Sequence, residues 1–227
     1  MPSIGRLRET ALHAALKAWC ARPGDEVEAS VEGYVIDLRR GDTLIEIQTR
    51  NFSALKRKLL QLIEHYPVRL VHPIAQEKYI VRLGRNGKVL SRRKSPKHGQ
   101  AAALFAELVS FPELAARPGF TLEILLIREE ELLRQGRGGS WRRRGWKIAD
   151  RRLVEVVGRV ELTAPRDYAA YLPASLPNLF TARDLAAQSG YPLRLAQQMV
   201  YCLRRMGVLE AAGQRGRAAL YARPPGQ

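Results

Sequence analysis

The chain has 227 residues, 46% of them hydrophobic and 26% charged, enough apolar material for one large domain or two small ones. Lys and Arg number 38 against 22 Asp and Glu, a formal charge of +16, so a polyanion is the expected partner, nucleic acid ahead of a membrane surface or an acidic protein. Cys20 and Cys202 lie far apart with no CxxC and no Cys/His cluster, which excludes a disulfide framework and argues against structural zinc.

The opening "MPSIGRLRETALHAALKAWC" is amphipathic and interrupted by charge, unlike a signal h-region, and no apolar run approaches transmembrane length. A cytoplasmic protein without a membrane partner is the expectation. Ile4 to Ala21 reads as a helix, with Leu7, Ala11, Leu12, Ala15, Leu16, Ala18 and Trp19 forming a broad apolar face and "RPGDE" ending it. Val27 to Arg40 and Thr43 to Thr49 read as strands joined at Gly41-Asp42, a hairpin-type pair. "NFSALKRKLLQLIEHYP" is a second helix that Pro67 terminates.

"VRLVHPI" is then a strand, and "KYIVRLGRNGKVLSRR" a hairpin turning at Asn86-Gly87. Ser95-Pro96 has the form of an N-cap with Pro at the first helical position, opening a helix through "AAALFAELVSF". Arg92, Arg93, Lys94 and Lys97 would collect at that helix N-terminus, where a DNA phosphate fits. "FTLEILLI" is a buried strand, and "RLVEVVGRVEL" another. Between them "RQGRGGSWRRRGW" offers either a backbone contact with aromatic stacking or a surface loop with Trp141 and Trp146 packed inward. The whole is an α/β pattern, and the character changes after about residue 162, giving two expected domains, 1–162 and 163–227.

The second of these has a compact rhythm: a helix capped by Thr181, a Gly190-Tyr191-Pro192 turn, a longer helix, then two short strands around "GQRG". It resembles a winged helix-turn-helix. Ala196, Met199, Val200, Leu203 and Met206 recur at helical spacing as core, leaving Arg194, Gln197, Gln198, Tyr201, Arg204 and Arg205 outward. Arg and Gln are the types that reach guanine and adenine edges, and Arg215 and Arg217 at the wing suit phosphate. A winged helix used for protein contact is the alternative.

Asp37 and Glu46 interrupt the first two strands. A two-residue turn at Gly41-Asp42 pairs Arg40 with Thr43, and counting back puts Asp37 opposite Glu46, with Gln48 on the same face. Facing carboxylates have Cβ atoms roughly 5 Å apart and repel. Val31 and Val35 share the face of Asp37, and Leu44 that of Glu46, so the pair is expected to be partly buried, where it needs a cation. Carboxylate oxygens and water suit Mg²⁺ or Mn²⁺. A solvent-facing hairpin, with Arg39 or Arg50 as partners, is the competing reading. His72 and His98 read as structural, and His13 as surface.

The pattern Asp37-x8-Glu46-x-Gln48 on a hairpin, framed by helices and a further strand, resembles the PD-(D/E)xK nuclease superfamily over roughly residues 4 to 80. The resemblance implies a restriction-endonuclease-like αβββαβ core in which Asp37 and Glu46 hold Mg²⁺ with the Ile47 carbonyl. The superfamily's Lys is here Gln48, a variant that some restriction enzymes of this fold carry. Its role then falls to the next helix, to Lys56 in preference to Lys58. Glu9 would match the acid that Holliday-junction resolvases of this fold place on the first helix. The implied activity is hydrolysis of DNA, duplex or branched, with two copies of the chain needed to cut both strands. A catalytically inactive DNA-binding regulator of the same fold, and a scaffold for an acidic protein, are the alternatives.

Overall fold

The computed structural model describes residues 10–136 and 145–224. Thr10, in extended backbone, caps α1 (Ala11–Cys20) by accepting from the His13 N–H. The hydroxyl at this cap satisfies a donor the helix itself cannot, and the part of the expected helix from Ile4 to Glu9 lies outside the described residues.

The strand expected from Val27 to Arg40 is two strands, β1 (Glu26–Val31) and β2 (Tyr34–Arg40), folded together antiparallel. Glu32 and Gly33 turn the chain with positive φ at both, 48° and 79°, as the favoured two-residue hairpin requires. Glu seldom takes that conformation, so the turn has no sequence signal beyond its glycine. β3 (Thr43–Ile47) follows Gly41-Asp42, and Arg40 pairs with Thr43. A 3-10 turn, Phe52–Leu55, leads into α2 (Lys56–Leu62), which carries the chain across to β4 (Val68–Leu83), parallel to β3.

β4 runs unbroken through the two strands expected there. Pro73 is accommodated between the last β3 partner, Val71, and the first partner on β5 (Val89–Lys94), Tyr79, where β4 lacks a ladder neighbour on that edge. β6 (Phe120–Gln135) lies parallel to β4, and β7 (Trp146–Leu162) antiparallel to β6. The result is a mixed seven-stranded open sheet of order β1-β2-β3-β4-β6-β7, with β5 on β4.

No helix opens at Ser95. Its N–H pairs with the Lys78 carbonyl and its hydroxyl accepts from the Lys97 N–H, a local turn that competes with helix. Gly99 then packs against β4 so closely that a Cβ would meet the Ala75 oxygen at 2.5 Å. Helical structure begins only at Ala101–Leu104 and α3 (Phe105–Leu108).

Two large apolar clusters lie on the sheet, with a small third one of Val81, Leu83 and Leu132. One joins Leu12 and Leu16 of α1 to Leu38, Ile45, Ile47 and Val71. The other takes Leu44, Leu59, Leu70, Phe105 and Phe120 and continues into the C-terminal region through Tyr168, Met199 and Leu203. That region contains α4 (Pro165–Ala169), α5 (Ala182–Ser189), α6 (Leu193–Arg205) and the hairpin β8 (Glu210–Arg215) and β9 (Ala218–Ala222). Thr181 and Asp184 form a reciprocal capping box on α5, and Gly190 ends it in the left-handed conformation. Among the described residues no helix is long and apolar enough to cross a membrane.

Phe105 is fully buried with its ring edge-on to Tyr168 and Tyr171, so the two expected domains share a core. Phe105→Ala should cost about 3–5 kcal/mol in one cooperative transition. Circular dichroism and tryptophan fluorescence in a urea titration should coincide. Two separated transitions in the native chain would show that the shared core does not couple the regions.

Candidate active site

The β2–β3 ladder ends at Leu38 opposite Ile45. One step further the strands diverge, and the side chains of Asp37 and Glu46 bridge the opening. The Asp37 N–H points to Glu46 Oε1 at 3.4 Å, and the Ile47 N–H donates to Asp37 Oδ2 at 2.8 Å. Ile36 and Leu38, two residues apart, bury into different core clusters, so the alternation of β2 turns over at Asp37. On β1 the residue between the Val27–Leu38 and Ala29–Ile36 pairs is Glu28, with a positive φ of 54°. Strain of this kind collects where the surrounding structure holds a site in place. It also corrects the expected face: Val35 is 58% exposed, while Leu44, beside Glu46, is fully buried.

Cations reach this fork from both flanking helices. Lys58 of α2 donates to Glu46 Oε1 at 2.5 Å and to the Val35 carbonyl at 2.6 Å. His13 of α1 places Nε2 3.3 Å from Asp37 Oδ2, so it faces the site and is not the surface residue expected. Lys17, one turn on, pairs with Glu28 at 3.1 Å. His13 and Lys17 are spaced i, i+4 on one side of α1, a signal present in the sequence.

Burial alone would raise the Asp37 carboxyl, but the hydrogen bond and charge of His13, the Ile47 N–H and Lys17 outweigh it and hold it below its ordinary value. Glu46 goes the other way. Burial, with the charge of Asp37 adding to it, pushes its carboxyl up to about 7 against the opposing pull of Lys58. A carboxyl raised on folding contributes stability that is fully present below its ordinary value of 4.5 and is lost as the pH climbs toward 7. The native chain should therefore lose up to roughly 3 kcal/mol across that window relative to Glu46→Gln. Urea unfolding of both between pH 4 and 8 checks this, and parallel stability curves would refute it.

The other expected site residues are placed as follows. Lys56 is exposed and contributes electrostatically at Glu113, away from Glu46. Two residues on a helix are about 200° apart, so Lys56 and Lys58 cannot both face the fork. The Gln48 amide donates to the Asn51 carbonyl at 3.1 Å, and the Gln48 carbonyl lies 2.7 Å from His72 Nδ1. His72 is held below its ordinary value by burial, so a neutral ring donates there and braces the end of β3. Glu9 lies outside the described residues.

Among the described residues no group of three or more His, Cys, Asp or Glu side chains is set to hold a metal, so the donor set at the fork is a carboxylate pair. Mg²⁺ is commonly held by one or two carboxylates while keeping several waters. Glu46 is 5% exposed beside the charged Asp37, with Lys58 already paired to it and His13 to Asp37. A divalent ion at the fork would have these two carboxylates as its protein ligands.

A family model described as "Domain of unknown function (DUF8091)" matches residues 10–163. The chain belongs to the DUF8091 family. The match runs from the cap of α1 to the end of β7 and thus takes in His13, Asp37, Glu46 and Lys58, while the C-terminal helices lie beyond it. The chain is also similar to an uncharacterized protein of Treponema pallidum (strain Nichols), 32% identical over 226 residues that cover 99% of this chain and 89% of the relative. No solved structure matches.

Within the DUF8091 region, Arg92, Arg93 and Lys94 lie on the exposed edge strand β5, not at a helix N-terminus. Arg92 bonds Glu130 at 2.8 Å and stacks on Tyr79, and Lys94 pairs with Glu77 at 2.9 Å. Arg93 and Lys97 line a cleft of about 440 Å³ with Lys78, Arg82 and Trp146, where Arg82 covers the Trp146 ring at 5.0 Å. Trp141 lies outside the described residues. His98 is exposed beside the Gln76 carbonyl.

Beyond the DUF8091 region, Arg194, Gln197, Tyr201 and Arg204 of α6 are exposed and Gln198 is half-buried. Arg205 is committed to Glu113. Arg215 is held by Asp184 at 3.0 Å and by the Leu179 carbonyl, so it ties the hairpin to the cap of α5. The hairpin turns at Gly216-Arg217, two residues later than "GQRG" suggests. Arg217 lines a groove of about 380 Å³ with Arg183, Gln197 and Tyr221.

Proposed function

We propose that the chain is a Mg²⁺- or Mn²⁺-dependent DNA endonuclease of the restriction-endonuclease-like fold, directed to DNA by a C-terminal winged helix. The observation that carries this reading is the meeting of Asp37, Glu46 and Lys58 where β2 and β3 part. Its support in the fold is the order α1-β1-β2-β3-α2-β4 with β4 parallel to β3. The succession of α5, a turn, α6 and the β8–β9 hairpin supports the winged helix.

Asp37 and Glu46 would hold the ion. Bound there, Mg²⁺ supplies a polarised phosphate, an activated water and compensation of charge on the leaving oxygen. Lys58 fixes the rotamer of Glu46 and adds a positive charge that favours the anionic transition state. His13 keeps the Asp37 carboxylate ionised and oriented. The charged clefts of β4–β5 and of α6 with the hairpin would carry the DNA backbone, and a second copy of the chain would supply the second cut.

One observation favours the inactive DNA-binding alternative: the Gln48 amide turns to the Asn51 carbonyl, away from the carboxylates. Incubating supercoiled, linear and branched DNA with the native chain and Mg²⁺ or Mn²⁺ decides between them. Cleavage supports the nuclease; tight, salt-sensitive binding without cleavage of any substrate supports the regulator. No binding at about 50 mM salt would remove both readings. Alanine at Arg194 or Arg217 should weaken duplex binding several-fold and reduce the salt slope by about 1 each, whereas equal affinities at low salt would exclude the winged helix as the DNA-binding part.

A further inference from the structure

At the C-terminal end of α1 a cleft of about 300 Å³ opens against the sheet, lined by Trp19, Cys20, Arg22, Arg40, Arg69 and Arg159 among others. It lies seven residues along the helix from His13, about 10 Å, and contains neither Asp37 nor Glu46. We propose that this cleft binds a nucleoside monophosphate, its phosphate on the guanidinium groups and its base on the Trp19 indole.

The guanidiniums are built into the fold before any ligand arrives. Arg69 of β4 bonds Glu123 of β6 at 2.7 Å and Glu161 of β7 at 2.8 Å, and Arg159 of β7 bonds the same two carboxylates at 2.6 and 3.0 Å. Arg40 is gripped by both oxygens of Asp25, at 2.9 and 2.7 Å, and by the Cys20 carbonyl at 2.9 Å. Three of the guanidiniums, Arg40, Arg69 and Arg159, thus meet three carboxylates, Asp25, Glu123 and Glu161, of which Glu123 also lines the cleft, and the Arg22 guanidinium supplies the surplus positive charge. Among the described residues the hydrogen bonds and ion pairs of Arg40 and Arg159 use Nε and Nη2 and not Nη1, and the Arg22 guanidinium acts on Asp25 through its charge without a hydrogen bond of its own. A guanidinium fixed on one edge and open on the other is preorganised for a phosphate.

The remaining lining suits the rest of a nucleotide. Trp19 is 48% exposed, and an indole beside arginine gives a base a stacking surface. The Cys20 thiol, pushed up to about 11 chiefly by burial, stays neutral and does not repel an anion. The volume stands at the low end for small-molecule pockets and admits one nucleotide.

Calorimetric titration of the full chain at about 50 mM salt with adenosine 5′-monophosphate, inorganic phosphate and adenosine tests this. The monophosphate should bind most tightly, phosphate more weakly and adenosine least. Arg22→Ala should weaken the monophosphate at least about tenfold, and Trp19→Ala should weaken it while leaving inorganic phosphate unchanged. Both side chains are exposed, so unchanged melting temperatures will show that the variants fold. Asp37→Asn, which keeps the acceptor for the Ile47 N–H, should retain native affinity, separating this cleft from the carboxylate fork. Competition by a 5′-phosphorylated oligonucleotide but not its 5′-hydroxyl form assigns the phosphate to a strand end, and competition by neither assigns a free nucleotide. Absence of saturable binding, or affinity indifferent to both cleft substitutions, overturns the proposal.

Discussion

If the chain is the proposed nuclease, replacing Asp37 with alanine is expected to abolish metal-dependent DNA cleavage, at least about 100-fold in rate, while leaving the proposed duplex binding by the C-terminal region intact. Asp37 is the carboxylate at the fork that is already ionised at neutral pH, kept so by His13 and the Ile47 N–H in spite of burial. Its loss removes an anionic ligand, and also the charge that helps to raise Glu46. The remaining carboxyl should then titrate lower, closer to its ordinary range. Alanine also strips the Ile47 N–H of its acceptor, at about 1–3 kcal/mol, so a drop in activity alone is ambiguous. Asp37→Asn answers this, since the amide oxygen still accepts from Ile47 but carries no charge. Both variants should be inactive and only the alanine markedly less stable. Cleavage that persists equally in Asp37→Ala and Glu46→Ala would sink the assignment of the site.

The facing of Asp37 and Glu46 is legible in the sequence because a two-residue turn at Gly41-Asp42 leaves one register, Arg40 against Thr43. What the register does not reveal is that the ladder stops one step short of the pair. Strict alternation predicts Asp37 on the face of Val35, yet Ile36 and Leu38 bury into different clusters and Glu28 adopts a left-handed backbone beside them. These are consequences of β2 leaving β3 while α1 and α2 pull on opposite faces, which no local propensity encodes. His13 was hidden for a related reason. Its neighbour Leu12 is core, and a polar residue next round the helix reads as solvated until the strand it meets is known. The C-terminal order of helix, turn, helix and hairpin was easier to read, since Thr181, Asp184 and Gly190 mark the ends of α5 by themselves.

The choice between Lys56 and Lys58 turns on helix phase. Phe52–Leu55 forms a 3-10 turn before α2, and three residues per turn instead of 3.6 changes which side chains meet the sheet. Lys58→Met therefore should lower cleavage at pH 7 by about 100-fold, and Lys56→Met should leave it unchanged. Without Lys58, Glu46 loses the strongest influence that lowers its carboxyl, so it should stay protonated above neutrality. Cleavage by Lys58→Met should accordingly recover in part as the pH is raised, which a purely structural lysine does not predict. Breaking a buried ion pair costs about 3–5 kcal/mol when the orphan stays charged. Here the orphan is a carboxyl that can take up a proton, so the loss should be smaller at pH 6 than at pH 8. Equal activity of Lys58→Met and Lys56→Met would leave the fork without its cation and would transfer that role to α1, where His13 and Lys17 already attend Asp37.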